Sequence, residues 1–478
     1  VRPRLDQVRP AMDVPPAHDG DAPLPRAYRG TGVLVGVIDY GLDLSHRAFT
    51  DENELTRVRA LWTHASSGTP PTGYAYGDTC SEAALSSGSC DFEDEGSHGN
   101  HVTGIAAGRA WDSGIYGGLA PDADIAFVNL GDSPPGIDDE DLAFTTSVCD
   151  GVAWLFSVAD ARDQPAVLNM SLGTHEGPHD GSSLANQCLD NLTGEGRILV
   201  AASGNEGAGS EHPAGEEVHV HAGGTATSTE QLVHFVADTN EAWPVTVVVW
   251  FDADTDLQIA LGARQGAQED WSEWAYTAAD VYEVFALEPD GTPLGELEVW
   301  GIELSSGARA VRFNIWDEDQ DAAEVDVAWM LAITGDGSWD AFIDTTSGSG
   351  FVTAQDVGVA ADHSMTIGYP ADSAQVIAVG ATVTRIEWTS VYGNYWNSGE
   401  TLGDLASFSS VGPGRDPSRT GLLPDVVAPG SWIASALNVN SPADTEICLD
   451  DIIEGQINEP NSFVMSQGTS MASPATAG

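Results

Sequence analysis

Ser470 is one of four polar residues in this 478-residue chain whose type and surroundings could support chemistry. The stretch from Gln467 to Pro474 surrounds it with small residues, which favour a sharp turn and the start of a tightly packed helix. A helix N-terminus offers free backbone N–H groups and the positive end of the helix dipole. Both stabilise the negative charge that develops on the carbonyl oxygen during acyl transfer. Alone, such a serine is typical of an ordinary helix cap. A nucleophilic role therefore depends on partners elsewhere in the chain.

Asp39 and His98 are the candidates for an orienting carboxylate and a general base. Asp39 ends the apolar run 33–39, and His98 opens a helical pattern of small residues. By itself, Asp39 would also fit a simple turn cap. His98 and His101 could together suggest a metal site, but no third ligand stands at a recognisable spacing. We interpret His98 as a base that hydrogen-bonds to Asp39.

Asn205 is the candidate donor to an oxyanion. It follows a predicted buried strand between Gly204 and Glu206, and its side-chain NH2 group can donate to developing negative charge. A Gly-Asn pair is more commonly a turn. In chain order the four candidates are Asp39, His98, Asn205 and Ser470, each at the end of a predicted buried element. Chance does not readily produce that arrangement, so the four together predict a site for acyl transfer.

Continuous apolar runs recur along the chain and predict strands that are buried on both faces of a parallel sheet. Helical patterns lie between several of them, notably 141–161 and 181–192. Alternating strands and helices indicate a doubly wound, mostly parallel α/β sheet, in which catalytic groups gather at the carboxyl ends of the strands. The predicted strands are 33–39, 123–130, 166–172, 197–202, 376–379 and 425–428.

The alternation stops between residues 209 and 366, where short β segments follow one another and indicate an inserted antiparallel sandwich. Turn signals at Pro289-Asp290-Gly291 and Gly335-Asp336-Gly337 separate some of them. The predicted strands of the insert are 218–222, 231–236, 245–251, 281–287, 295–300, 310–315 and 325–333. We therefore expect an N-terminal arm (1–30), a first catalytic part (31–208), an inserted domain (209–366) and a second catalytic part (367–478).

The net charge of −56 comes from 73 acidic residues against 17 basic ones, all of them arginine. A field of this sign should repel nucleic acid and anionic membranes, and it makes the folded state depend on screening by salt or divalent cations. The longest strongly apolar run, Val245 to Phe251, is too short to span a bilayer. These features favour a salty or calcium-containing exterior and exclude a membrane span.

The five cysteines fit an oxidising compartment. Cys80 and Cys90 bracket a loop of small residues, and a disulfide there would add about 3 kcal/mol or less. Cys149 and Cys188 fall in two segments that would be neighbouring helices of the predicted fold. Cys448 is left without an assigned partner.

The order Asp39, His98, Ser470 and the motifs around these residues resemble the subtilisin-like serine proteases, the subtilases of peptidase family S8. The resemblance covers about residues 30–208 and 367–478. It implies that Asp39 orients His98, that His98 takes the proton of Ser470, and that Asn205 and the Ser470 N–H bind the oxyanion. It further implies a substrate-binding surface with a broad preference for apolar side chains, formed by Ser171, Leu172, Gly173, Ala202, Ser203 and Gly204.

Two further segments, 177–183 and 366–371, resemble the branch of subtilases related to the clostridial Csp germination proteases. In that branch a jelly-roll β-sandwich is inserted between the oxyanion asparagine and the nucleophile, which is where the predicted insert lies here. The sequence departs from the usual pattern at Tyr40, Asn100 and Thr103, and it lacks the common histidine after Pro474. The chain also stops within the predicted nucleophile helix. We therefore expect an excerpt of a longer protein, and the activity of the excerpt alone is an open question.

The resemblance implies a secreted serine endopeptidase that acts on proteins or peptides, with a propeptide upstream and no cofactor needed for the chemistry. It also suggests a structural calcium ion, with Asp43 at a position that some subtilases use. The alternative is a Csp-like pseudoprotease whose sandwich binds protein or glycan through exposed aromatic residues. The candidates for that surface are Trp271, Trp274 and Tyr276, although core packing is the more usual role of such residues.

Overall fold

The computed structural model describes residues 7–478 except 95, 111–115, 132–139, 208–209, 212–216, 228, 238–243, 253, 277–281, 292, 295, 305, 317–326, 345–348, 353–358, 442–451 and 455–460. A short 3-10 helix covers Arg47–Phe49. The α-helices are α1 (Val8–Ala11), α2 (Val14–Asp19), α3 (Glu82–Ser87), α4 (His98–Ala107), α5 (Glu140–Ala161), α6 (Leu184–Leu192), α7 (Pro417–Thr420) and α8 (Thr469–Ala477). The strands in the first half of the chain are β1 (Leu34–Asp39), β2 (Val58–Thr63), β3 (Asp78–Cys80), β4 (Asp124–Asn129), β5 (Ala166–Met170), β6 (Arg197–Ala202), β7 (Ser210–Glu211), β8 (Glu217–His219), β9 (His221–Ala226) and β10 (Gln231–Val236). The remaining strands are β11 (Val245–Phe251), β12 (Asp256–Gln265), β13 (Gln268–Trp271), β14 (Ala275–Tyr276), β15 (Tyr282–Phe285), β16 (Glu296–Glu303), β17 (Arg309–Trp316), β18 (Val327–Asp344), β19 (Gly350–Val352), β20 (Val359–Asp362), β21 (Val376–Val383), β22 (Glu387–Thr389), β23 (Tyr395–Asn397), β24 (Val426–Ser431), β25 (Ile433–Ala436), β26 (Ile452–Glu454) and β27 (Phe463–Ser466).

An eight-stranded sheet with the order β24-β21-β6-β5-β1-β4-β2-β3 forms the centre of the α/β part. All neighbours in it are parallel except β2 and β3. The six predicted buried strands all belong to this sheet, which confirms the predicted fold class. The sequence analysis missed β2, where Arg59 interrupts the apolar run; in the structure its guanidinium pairs with Asp124 at 2.6 Å.

Alternate residues of the sheet face two separate helix layers. On one face Val35 and Val37 pack with residues of α4 and α8. On the other face Leu34 and Ile38 pack with residues of α5 and α6. Side chains on successive strand residues point to opposite faces, so one apolar run supplies both cores. The helices α4 and α8, which begin at His98 and just before Ser470, thus lie together on the same side of the sheet.

The strands from β7 to β20 form an antiparallel sandwich whose two sheets enclose a second apolar core. The predicted segment 218–222 is two strands, β8 and β9, because the chain turns between them. The turn predicted at Gly335-Asp336-Gly337 is wrong. Strand β18 runs through it, pairing with β10 and β12 before this point and with β9 and β11 after it. The strand can bend from one sheet into the other here because Gly335 and Gly337 adopt φ angles of 129° and 149°, which favour glycine.

Two of the three aromatic residues proposed for a binding surface have described side chains, and both are half-buried. Trp271 is half-buried, and its ring lies so close to Gly262 that an added Cβ there would meet it at 2.4 Å. Trp274 is also half-buried, and the side chain of Tyr276 lies outside the described residues. Trp271 packs closely onto Gly262 of β12 and is therefore part of the sandwich.

Two disulfides join the cysteine pairs singled out in the sequence. Cys80–Cys90 closes the segment that contains α3, and Cys149–Cys188 links α5 to α6. Cys448 lies outside the described residues. Within the described part of the chain, no helix is both long and apolar enough to cross a membrane.

Candidate active site

Asp39 and His98 lie in direct contact at the carboxyl end of β1. The Nδ1 atom of His98 is 2.7 Å from Oδ1 of Asp39. The carboxylate is 1% exposed, whereas the imidazole is 37% exposed. A buried carboxylate that is hydrogen-bonded to Nδ1 fixes the tautomer and leaves Nε2 to accept a proton. The structure therefore brings these two residues together in the geometry that the sequence predicted.

The loop after Asp39 is held by a network of buried polar groups. The N–H of Tyr40 donates to Asp39 Oδ1 at 2.7 Å, and the N–H of Gly41 donates to Asn129 Oδ1 at 2.8 Å. Asn129 in turn donates to Asp94, whose other oxygen accepts from the Gly96 N–H at 2.7 Å. Because Gly96 precedes His98 by two residues, this network ties the carboxylate loop to the start of α4. A side chain at Gly41 would collide with the Gly96 carbonyl, so the close approach requires glycine there.

Ser470 is the second residue of α8 and is partly accessible. Its hydroxyl lies 3.4 Å from the carbonyl oxygen of Ser171, to which it donates. The hydroxyl of Ser171 donates back to the Ser470 carbonyl at 2.8 Å. Gly468, just before the helix, has φ of 146°, a conformation that favours glycine. The N-terminal position predicted for Ser470 is therefore observed, next to the end of β5.

Asn205 lies beside this helix start, and the oxygen of its side-chain amide is engaged by Thr469. Its Oδ1 accepts from the Thr469 N–H at 2.9 Å and from the Thr469 hydroxyl at 3.1 Å. The residue itself is exposed. With the oxygen engaged by Thr469, the NH2 end of the amide is the end that can donate to a bound group. Thr469 was not singled out in the sequence, although its position before the candidate nucleophile could have drawn attention.

Asn169 is a second residue that the sequence analysis did not assign. It is fully buried in β5, donates to the Ser171 hydroxyl at 2.9 Å and accepts from Ser473 at 2.7 Å. It thereby joins the strand end to α8. The signal was present in the sequence, because an asparagine within an apolar run must find polar partners when buried.

The six residues predicted to bind substrate lie near one another but differ in accessibility. Leu172 and Gly204 are partly accessible and Gly173 is exposed, whereas Ser171, Ala202 and Ser203 are buried. Ser203 is 1% exposed, so its side chain belongs to the interior. Strands β5 and β6 are paired in parallel up to Met170 and Ala201, which brings the two segments to the same edge of the sheet.

An ion pair that the sequence did not reveal lies next to these residues. The Nε2 atom of His175 is 3.3 Å from Glu206 Oε2, and Ser410 donates to the same oxygen at 2.9 Å. Burial alone would lower the pKa of His175, but the hydrogen bond and charge of Glu206 raise it above 6.5. Burial would raise the pKa of Glu206, and the same contact with His175 lowers it below 4.5. The contact therefore favours the ionised form of both side chains.

His101 and Asp43 each have hydrogen-bond partners within the protein. His101 is buried with Nε2 at 3.1 and 3.2 Å from two main-chain carbonyls, and burial lowers its pKa to about 3. Asp43 accepts from the backbone and hydroxyl of Ser45 and from the Val439 N–H at 3.4 Å. In the part of the chain that the structure describes, no group of three or more His, Cys, Asp or Glu side chains could hold a metal ion. The structural calcium ion suggested for Asp43 stays a prediction.

Comparison with known proteins decides the family. The model of the subtilase family matches residues 30–273 and 321–478. The chain belongs to the subtilase family. Among curated proteins, subtilisin E of Bacillus subtilis is 30% identical over 182 residues, which are 38% of this subtilase and 36% of that protein. The minor extracellular protease Epr of the same species is 33% identical over 118 residues, 25% of this chain and 16% of Epr. The aligned parts thus span well under two thirds of these relatives.

Among solved structures, the CspB protease of Clostridium perfringens has the same fold. The two chains superpose with a TM-score of 0.69 at 20% identity, over 98% of this subtilase and 84% of CspB. Coverage of nearly the whole chain includes the inserted sandwich. The similarity shows a shared fold, and the branch of the family that the segments 177–183 and 366–371 indicated stays a prediction.

Proposed function

We propose that this subtilase is a serine endopeptidase in which Ser470 attacks the peptide carbonyl. The observation that carries the proposal is the 2.7 Å contact between His98 Nδ1 and Asp39 Oδ1. It lies on the same side of the sheet as the start of α8, where Ser470 is found. In the proposed reaction His98 removes the proton of Ser470 and later delivers it to the leaving amine, while Asp39 stabilises the imidazolium.

The oxyanion would be bound by Asn205 and by the backbone N–H of Ser470. Support comes from the anchoring of Asn205 Oδ1 on Thr469, which directs the NH2 end of the amide outward. The Ser470 N–H belongs to the first turn of α8 and has no partner within the helix. Two preorganised donors of this kind stabilise the tetrahedral intermediate more than the planar substrate.

The proposed substrate is an extended protein or peptide segment that lies against residues 171–173 and 202–204. We propose a preference for an apolar side chain before the scissile bond, because Leu172 and Ala202 provide apolar surface beside the glycines. No cofactor takes part in this chemistry. We propose an extracellular location with the signal and propeptide upstream, in keeping with the two disulfides and the acidic surface.

The test is hydrolysis of a peptide library by the full-length protein and by its Ser470→Ala variant. We expect the variant to lose several orders of magnitude in kcat, because only oxyanion binding and substrate positioning remain. Ser418→Ala, an exposed serine of α7, is the matched control and should retain wild-type activity. Equal hydrolysis by wild type and Ser470→Ala would overturn the proposal. Absence of hydrolysis by both proteins would favour a binding protein instead.

A further inference from the structure

Strand β18 of the inserted sandwich presents three alternate side chains to the catalytic part of the molecule. Ala341 and Ile343 point into the sandwich core, whereas Asp340, Phe342 and Asp344 point the other way. On an isolated sandwich this outer face would meet water. Here it covers the segment 174–179, which directly follows the proposed substrate-binding residues.

Asp344 holds the first two residues of that segment. Its Oδ2 atom accepts from the Thr174 hydroxyl and, at 2.9 Å, from the N–H of His175. The Thr174 N–H donates to the carbonyl of Tyr369 at 3.0 Å, and the Thr174 hydroxyl accepts from the Glu176 N–H at 3.2 Å. The carboxylate from the insert therefore completes a turn that Tyr369 of the catalytic part also holds.

His175 connects this turn to the residues beside Asn205, the proposed oxyanion donor. Its ring pairs with Glu206 at 3.3 Å, and Glu206 is the residue after Asn205. Glu206 is fixed a second time by Ser410, which accepts from the Glu206 N–H at 3.0 Å and donates to its carboxylate. A side chain at Gly204 would meet the Glu206 carboxylate at 2.4 Å, so Glu206 also borders the proposed substrate-binding glycine.

Other contacts attach the same segment to the sandwich without Asp344. The ring of Phe342 stacks on His179 with centroids 3.7 Å apart. Arg415 pairs with Asp340 at 2.7 Å and donates its N–H to the His179 carbonyl at 2.7 Å. Arg312 of the sandwich also pairs with Glu176 at 2.9 Å. Because none of these contacts involves Asp344, loss of Asp344 should release Thr174 and the N–H of His175 while the interface stays assembled.

We propose that Asp344 is a positioning residue of the peptidase site, acting from the inserted domain on the pocket that receives the side chain before the scissile bond. It sets the place of Thr174 and His175, and through His175 that of Glu206 beside Asn205. The inference rests on the proposed peptidase function. It assigns the insert a role in substrate selection in addition to packing.

The test compares Asp344→Ala, the conservative Asp344→Asn and the control Asp336→Ala in full-length protein. Asp336 is an exposed carboxylate of the same strand. The readouts are kcat and KM for a peptide series that varies only in the residue before the scissile bond, together with the rate of labelling by a fluorophosphonate. For Asp344→Ala we expect kcat/KM for the preferred peptide to fall about 10- to 100-fold and selectivity within the series to shrink. Labelling of Ser470 by the small phosphonate should change little, and Asp344→Asn should restore much of the selectivity.

Wild-type selectivity in a folded Asp344→Ala variant would overturn the inference. If that variant fails to fold, His175→Gln breaks the same connection within the catalytic part. It should then show the loss of selectivity, and wild-type selectivity in His175→Gln would be equally decisive against the inference. Failure of the peptidase proposal itself is distinguishable, because wild type and Ser470→Ala would then behave alike on every peptide.

Discussion

At the scale of single residues, the proposed site depends on polar side chains whose orientation is fixed by neighbouring groups. Asp39 is buried and fixes the orientation of the His98 ring. The N–H of Thr469 donates a hydrogen bond to the side-chain oxygen of Asn205. Glu206 is engaged by His175 and Ser410. In each case a buried or partly buried partner fixes the orientation, so that little reorganisation is needed when substrate binds.

The His175–Glu206 pair predicts a defined pH dependence of stability. His175 has a folded-state pKa raised above 6.5, so its contribution is complete below pH 6.5 and is lost as the pH rises through the folded-state value. Glu206 has a pKa lowered below 4.5, so its contribution is complete above pH 4.5 and is lost as the pH falls through the folded-state value. The pair is therefore at full strength between pH 4.5 and 6.5.

Thermal unfolding of wild type and His175→Gln across pH measures this effect. Within the window we expect the variant to be less stable by about 1–2 kcal/mol, a modest value because the carboxylate is about one-third exposed. The difference should diminish as the pH rises past the pKa of His175. A difference that stays constant from pH 5 to pH 10 would show that the effect comes from packing and not from charge.

The four candidates could be singled out from the sequence because each stands where a strongly patterned element begins or ends, and their catalytic roles stay predictions. Asp39 closes an apolar run, and Ser470 starts a helix of small residues. The contact between Asp344 and the N–H of His175 could not be predicted in this way, because the two residues lie 169 positions apart and belong to different domains. Local periodicity shows which face of β18 is polar, but it does not show whether that face meets water or a second layer of protein.

At the scale of elements, the two disulfides reinforce different parts of the α/β layer. Cys149–Cys188 ties α5 to α6 across a separation of 39 residues, whereas Cys80–Cys90 closes a local loop of 10. In the chain-entropy account a longer closed loop restricts the unfolded chain more strongly.

Replacing both cysteines of a pair by serine should therefore cost more stability for Cys149–Cys188 than for Cys80–Cys90. We expect losses on the order of 4 kcal/mol and about 3 kcal/mol respectively, with peptide hydrolysis of the folded variants unchanged. Denaturant unfolding and kcat measured on the same samples check both parts. A greater loss for the local Cys80–Cys90 pair would contradict this account.

The apolar pattern of each strand explains which strands were predicted from the sequence and which were not. Strands buried on both faces, such as β1 and β6, carry unbroken apolar runs and were found from the sequence. Strand β2 was missed because Arg59 lies within it, and β18 was divided because two glycines imitate a turn. The glycines of β18 serve a bend between sheets, and this distinction depends on which strands pair on either side.

At the scale of the whole molecule, the inserted sandwich and the α/β part share one buried polar interface. Asp340 and Asp344 of the sandwich meet Arg415 and the 174–175 turn of the catalytic part. The chain carries a net charge of −56 with only 17 basic residues. In a protein of that charge, arginines are scarce, so their placement opposite Asp340 and Glu176 at this interface is consistent with a role in holding the two parts together.

The central claim is that Ser470 is a nucleophile activated by the His98–Asp39 pair, and its most direct test is site-resolved labelling. Full-length protein is treated with a fluorophosphonate, and the modified peptide is identified by mass spectrometry. We predict a single adduct on the peptide that contains Ser470, absent in Ser470→Ala and formed at least about 1000-fold more slowly in His98→Ala. An adduct on another residue, or labelling of Ser470 at the wild-type rate in His98→Ala, would contradict the account.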